Sequence, residues 1–206
     1  MRSLLLSAAV AVVCLAAPSA AHAQVTEPFT HRGIFLRLEG GGGYMNSNVS
    51  YDSASATVSG GALYGGFALG GAIAENLMLY GEIWGMGAPN PTVSIGSSST
   101  TANNSTLNYG GLGIGIGYFF VSNIFLGVSV DATRLGVTDS NGDDSHSDIG
   151  GALTLTLGKQ WFISDHLGLG LSLKGIGGGN RDNNNDSSSA TYKTFTGLGT
   201  VTLTYG

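Results

Sequence analysis

Between Ala152 and Lys174 the chain reads ALTLTLGKQWFISDHLGLGLSLK. Leu153, Leu155 and Leu157 alternate with Thr154, Thr156 and Gly158. After Ser164, Asp165 and His166, the residues Leu167, Leu169, Leu171 and Leu173 alternate with Gly168, Gly170 and Ser172. A period of two puts successive side chains on opposite faces of a strand, so this stretch predicts a hairpin with a short turn. One face is leucine and the other is glycine, serine and threonine. The wet face of a soluble sheet would carry Lys, Arg, Asp or Glu, and this one hardly does.

The same alternation recurs along the chain. A first strand is expected from Gly33 to Tyr44, with Ile34, Leu36 and Leu38 facing away from Arg37 and Glu39. A polar loop, Met45 to Ser59, precedes a second strand from Gly60 to Ile73, and Ala74-Glu75-Asn76 turns into a third that begins at Leu77. Pro89 and Pro91 end that strand, because proline cannot donate to a ladder. A fourth strand spans Leu107 to Val121, with Leu112, Ile114, Ile116, Tyr118 and Phe120 on one face and Gly111, Gly113, Gly115 and Gly117 on the other. Ser122-Asn123 turns into a fifth strand from Ile124, and an acidic loop runs from Asp139 to Asp148. The leucine hairpin follows, then a polar loop from Gly177 to Ser189 and a last strand ending in Val201, Leu203 and Tyr205. A polar pair before an apolar strand start recurs at Glu75-Asn76, Ser122-Asn123 and Asp165-His166, so the repeating unit is one hairpin.

Long polar loops and short turns therefore alternate around eight strands. Outer-membrane barrels have this arrangement, with short periplasmic turns and long outer loops. Closure removes the sheet edges that a bilayer would not tolerate. The expected fold is all-β: an eight-stranded antiparallel up-and-down transmembrane β-barrel.

Composition decides which face meets lipid. Only 10% of the residues are charged, against roughly 25% in a soluble domain. From Ile83 to Val130 there is no charged residue at all. Outward leucines would leave the small residues in a narrow lumen together with Arg37, Glu39, Glu82, Asp131 and Lys174. Both signs are present there, so the charges can pair, and a plugging ion-pair network is favoured over a conducting pore because eight-stranded interiors are generally filled. Tyr118, Phe120, Trp161 and Tyr205 fall near the short turns, and Tyr44, Tyr109 and Phe195 near the loops, as two interfacial girdles would. Lys159 shares parity with Leu157 and would snorkel from a turn.

The N-terminus reads as a targeting segment: Arg2, an apolar run from Leu4 to Ala17, and Ala21-His22-Ala23 as an A-x-A cleavage site. Residues 1–23 are then a cleaved signal peptide, 24–32 a periplasmic tail and 33–206 the barrel. Cys14, the single cysteine, lies in the apolar run behind the bulky Val13, which disfavours lipidation.

Few residues suggest chemistry. Asp139, Asn141 and Asp143 place oxygen ligands at alternate positions, as in a calcium loop, but Gly142 comes early and no glutamate closes it. Cations that bridge lipopolysaccharide would be the biological form of such a site. His146 lies between Ser145 and Ser147, yet adjacent strand residues face opposite ways, so a Ser/His hydrolase is disfavoured. The net charge of −5 argues against nucleic acid.

With these strands in place, the chain from Gly33 to Gly206 resembles the small OmpA/OmpX-type bacterial outer-membrane barrels. The resemblance implies a monomer in the Gram-negative outer membrane, in contact with lipid and lipopolysaccharide. It also implies delivery by periplasmic chaperones and the barrel assembly machinery, for which the last strand is the signal. That signal usually ends in an aromatic residue; here Gly206 follows Tyr205. No cofactor and no enzyme activity is expected. The expected role is structural or one of surface contact, such as envelope integrity or adhesion, with a narrow pore or a lipid A-modifying enzyme as the alternatives.

Overall fold

The computed structural model describes residues 33–51, 54–120, 122–139, 144–164, 166–183 and 189–205. The proposed signal peptide and tail, together with Gly206, lie outside the described residues. The strands in chain order are β1 (Ile34–Tyr51), β2 (Ala54–Ala74), β3 (Leu77–Pro89), β4 (Thr92–Ile95), β5 (Ser98–Thr101) and β6 (Thr106–Phe119). They continue as β7 (Ile124–Thr138), β8 (Asp144–His146), β9 (Gly150–Phe162), β10 (Leu167–Asn183) and β11 (Ser189–Tyr205).

Eight of these close into a barrel. Each of β1, β2, β3, β6, β7, β9, β10 and β11 pairs antiparallel with the next, and β1 also pairs with β11. Leu36 marks the seam, opposite Leu69 on one side and Tyr205 on the other. The fold is the expected all-β, eight-stranded barrel, with β4, β5 and β8 added on its upper side.

The period of two sets the faces. Leu112, Val130 and Leu155 point outward and are 64%, 59% and 54% exposed. Their neighbours Gly111, Asp131 and Thr154 point inward. A continuous apolar belt surrounds the barrel, which suits a lipid surround and no other solvent. The short turns are closed by Asn76 and Asn123, whose backbones sit at φ 60 and 58, a left-handed geometry that asparagine tolerates.

Three segments expected to be loops are largely strand. β1 continues to Tyr51 and β2 resumes at Ala54; β10 runs to Asn183 and β11 resumes at Ser189; the stretch after Pro89 forms the β4–β5 hairpin. About 9–11 residues suffice to cross a bilayer, whereas β1 has 18 residues, β2 has 21, and β10 and β11 have 17 each. The surplus rises on one side of the barrel as a polar wall in the order β10–β11–β1–β2–β4–β5. The physical reason is that ladder hydrogen bonds need no apolar side chains. The leucine pattern stops where lipid stops, and the pairing does not.

Candidate functional site: the lumen

The lumen is filled in three layers. The lower layer holds Phe35, Met78, Tyr80, Phe119 and Phe125, all buried. Phe119 and Phe125 meet at 4.9 Å between ring centroids, and Phe35 stacks on Phe125 at 6.3 Å. The upper layer includes Met45, Trp84, Met86, Leu107, Tyr109 and Ile176. Glycines make both layers possible. A Cβ at Gly115 would lie 2.5 Å from the Tyr80 ring, and one at Gly111 would lie 2.6 Å from the Trp84 ring. Gly111 and Gly115 of β6 are therefore sockets for aromatic rings on β3, while Gly117 faces the Phe125 ring of β7 and Gly113 the Asp131 carboxylate.

Between these layers lie all five charged residues expected there. Arg37 donates from Nε to Glu39 Oε1 at 2.7 Å, and its Nη2 is 2.6 Å from the same oxygen. Lys174 Nζ binds Glu39 Oε2 directly and lies 3.6 Å from Glu82 Oε2. Tyr64 joins the pair, accepting from Lys174 at 2.9 Å and donating to Glu39 at 3.0 Å. Ser129 donates to Glu82. Asp131 has no cationic partner among the described residues; Trp84 Nε1 donates to it at 3.2 Å and Thr154 Oγ1 at 2.8 Å. The Arg37 guanidinium lies 4.2 Å from the Phe125 ring centroid, which covers it from below.

The Lys174 side chain is 0% exposed, and those of Glu39 and Glu82 are 4% and 6%. Charges so enclosed are stable only when paired and hydrogen-bonded, and here each carboxylate has at least two donors within reach. The positions of the charges were legible from strand parity. Their neutral partners Tyr64, Trp84, Ser129 and Thr154 were not, although all four share that inward parity.

Below this cluster, Gln160, Ser172, Thr202 and Thr204 line a cavity of about 10 Å³, room for one water molecule. Gln160 Nε2 and Thr204 Oγ1 have no partner among the described residues.

The girdle residues Tyr118, Phe120, Trp161 and Tyr205 are all outward and exposed near the short turns. Tyr118 and Phe120 meet edge to face at 5.1 Å, and His166 lies 5.9 Å from Tyr205. Tyr44 and Phe195 face outward at the other end. Tyr109 does not: it is 1% exposed and stands inside the lumen, 5.2 Å from Trp84. Its odd number places it with Gly111 rather than with Leu112, and parity overrides its nearness to the loop. Lys159 donates to the Ser122 carbonyl at 2.8 Å, across the turns.

Of the calcium-loop residues, Asn141 and Asp143 lie outside the described residues, and Asp139 follows the end of β7. No group of three acidic, histidine or cysteine residues suited to a metal occurs among the described residues. His146 lies on the outer wall. Ser147 beside it is turned inward, where its Oγ accepts from the Leu135 amide at 3.1 Å and donates to the Asp148 carbonyl at 2.9 Å.

No protein-family model matches the chain, and no curated relative matches it. Solved structures do. Neisserial surface protein A superposes with a TM-score of 0.55 at 14% identity, over 84% of this chain and 96% of that one. The fold is that of the small outer-membrane barrels. The outer membrane protein OprG from Pseudomonas aeruginosa gives a TM-score of 0.50 at 12% identity, over 87% of this chain and 99% of the other. The outer membrane protein AlkL gives 0.50 at 13% identity, over 85% and 90%. Closed single-chain barrels with an outward apolar band belong to the outer membrane, and this chain is an integral outer-membrane barrel protein by architecture.

Proposed function

We propose that this outer-membrane barrel is a non-conducting, non-enzymatic protein whose role is surface contact or envelope integrity. The observation that carries the reading is the polar wall. Strands β1 and β2 pair without a break from Ile34 opposite Gly71 to Tyr51 opposite Ala54, so the belt and the display surface are one rigid sheet. Outward residues on the wall are short and polar, such as Asn46, Asn48 and Ser50. Thr57 donates to Asn48 at 2.8 Å and Ser94 pairs with Ser99 at 2.6 Å, which stiffens it further. A wall of this kind presents backbone and hydroxyl groups to another surface at little cost in conformational entropy.

The filled lumen supports the same reading. Among the described residues, aromatic side chains pack above and below the charge cluster, as in a plugged lumen. The test is single-channel recording of the purified protein in planar bilayers. Silence at all voltages is expected. Discrete conductance steps abolished by neutralising Glu82 and Asp131 would replace this reading with that of a pore. In parallel, deletion of residues 92–101 should lower adhesion of expressing cells or raise their sensitivity to large antibiotics, while the barrel still folds.

A further inference from the structure

The outer wall carries a depression of about 430 Å³ where β3, β6, β7 and β8 meet. Its volume falls within the roughly 300–1,000 Å³ of small-ligand sites. Two rows of outward residues line it, together with the buried Met86, Tyr109 and Leu135 between them. Gly85, Gly110 and Arg134 are register partners across β3, β6 and β7. Above them run Asn108, Gly136 and His146 on β6, β7 and β8. Glycine forms the floor: a Cβ at Gly85 would meet nothing within 4 Å, so the hollow is open above it.

The depression sits at the upper margin of the belt. The next row down is Ile83, Leu112 and Ala132, and the first two are 56% and 64% exposed. Its own lip is cationic. Arg134 Nε donates to the Ser147 carbonyl at 3.2 Å, which fixes the guanidinium at the edge, beyond the end of β9 at Gly150. The His146 imidazole lies against Gly136, with Nδ1 2.6 Å from where a Cβ would be. No Asp or Glu lines the hollow among the described residues.

We propose that this depression holds the acyl chain of a phosphorylated lipid of the outer leaflet, with Arg134 and His146 on its phosphate. The inference rests on the outer-membrane reading above. An apolar trough continuous with the belt matches a hydrocarbon chain. A planar guanidinium with several N–H donors matches a phosphate at headgroup height, and a nearby imidazole N–H adds a second donor. Lys159 lies at the opposite margin, where it donates to the Ser122 carbonyl, and serves as the internal control.

The experiment is native mass spectrometry of the refolded, delipidated protein titrated with lipid A in mild detergent. A single adduct is expected for the wild-type protein. Arg134→Gln should lower adduct abundance about fivefold, as expected for loss of one headgroup-facing cation. Gly85→Leu fills the trough without a backbone clash and should lower it as well, while Lys159→Gln leaves it unchanged. Dephosphorylated lipid A should bind the wild type no better than lipid A binds Arg134→Gln. Equal adducts in all three variants would mean that the lipid merely coats the belt, and would overturn the proposal. Full displacement of lipid A by inorganic phosphate would also overturn it, by showing a simple ion site. Failure of the outer-membrane reading is visible separately, as recovery of the protein from cells without detergent.

Discussion

Lys174 and Glu39 stand 135 residues apart in sequence and meet as a direct ion pair inside the barrel. Closure makes the contact: β10 reaches β1 only across β11, and both charges point inward. Glu82, from the far wall, shares the same ammonium.

Lys174→Met should therefore destabilise the barrel by about 3–5 kcal/mol, the usual cost of removing one partner from a buried ion pair. Urea unfolding in detergent micelles, followed by tryptophan fluorescence, would read it. The double variant Lys174→Met with Glu82→Gln should recover part of the loss, because one orphaned carboxylate is then neutral. An additive double variant would mean that Glu82 gains nothing from Lys174.

Two glycines in neighbouring strands should respond oppositely to the same change. Gly111→Ala drives a methyl group into the Trp84 ring and should cost roughly 1–3 kcal/mol by overpacking. Gly85→Ala faces open space outside and should be neutral or stabilising by up to about 1 kcal/mol through the unfolded chain. The temperature of the gel-mobility shift between folded and heat-denatured forms would rank them.

Outward substitutions should depend on depth. Leu155→Arg, in the middle of the belt, should cost about 2–4 kcal/mol, and Ile34→Arg, at its lower margin, about 0–1 kcal/mol. Refolding into phospholipid vesicles measures both. Equal costs would mean that the leucine face does not contact a bilayer core.

The turn asparagines give a smaller, sharper test. Asn123 at φ 58 should accept glycine with little change, while Asn123→Val should cost about 1–2 kcal/mol in left-handed backbone strain. Comparable refolding yields for the two variants would contradict the turn geometry.

The faces of the barrel were legible because Leu153, Leu155 and Leu157 keep a strict period against Thr154 and Thr156. That parity also placed Arg37, Glu39, Glu82, Asp131 and Lys174 inside. Their pairing was not legible, since nothing local in the chain says that β10 and β1 become near neighbours. Tyr109 was misplaced because position near a loop was weighed above parity. The extent of the strands was hidden as well. Ser, Thr and Asn between 45 and 59 read as loop, yet once the belt fixes the register the ladder extends through them to Tyr51 and Ala54.

The glycine run of β6 has a further effect during assembly. Alternation of faces forbids a slip of one residue between strands, because it would turn leucines into the lumen. It is blind to a slip of two. Gly111, Gly113, Gly115 and Gly117 are bracketed by Tyr109 and Phe119, and Trp84 and Met78 lie opposite the two outermost glycines. Shifting β6 by two residues in one direction would set Trp84 opposite Tyr109, two large rings in space for one. The socket run thus acts as a proofreading key for strand pairing, and it ties correct insertion of the barrel to the same rings that close its interior.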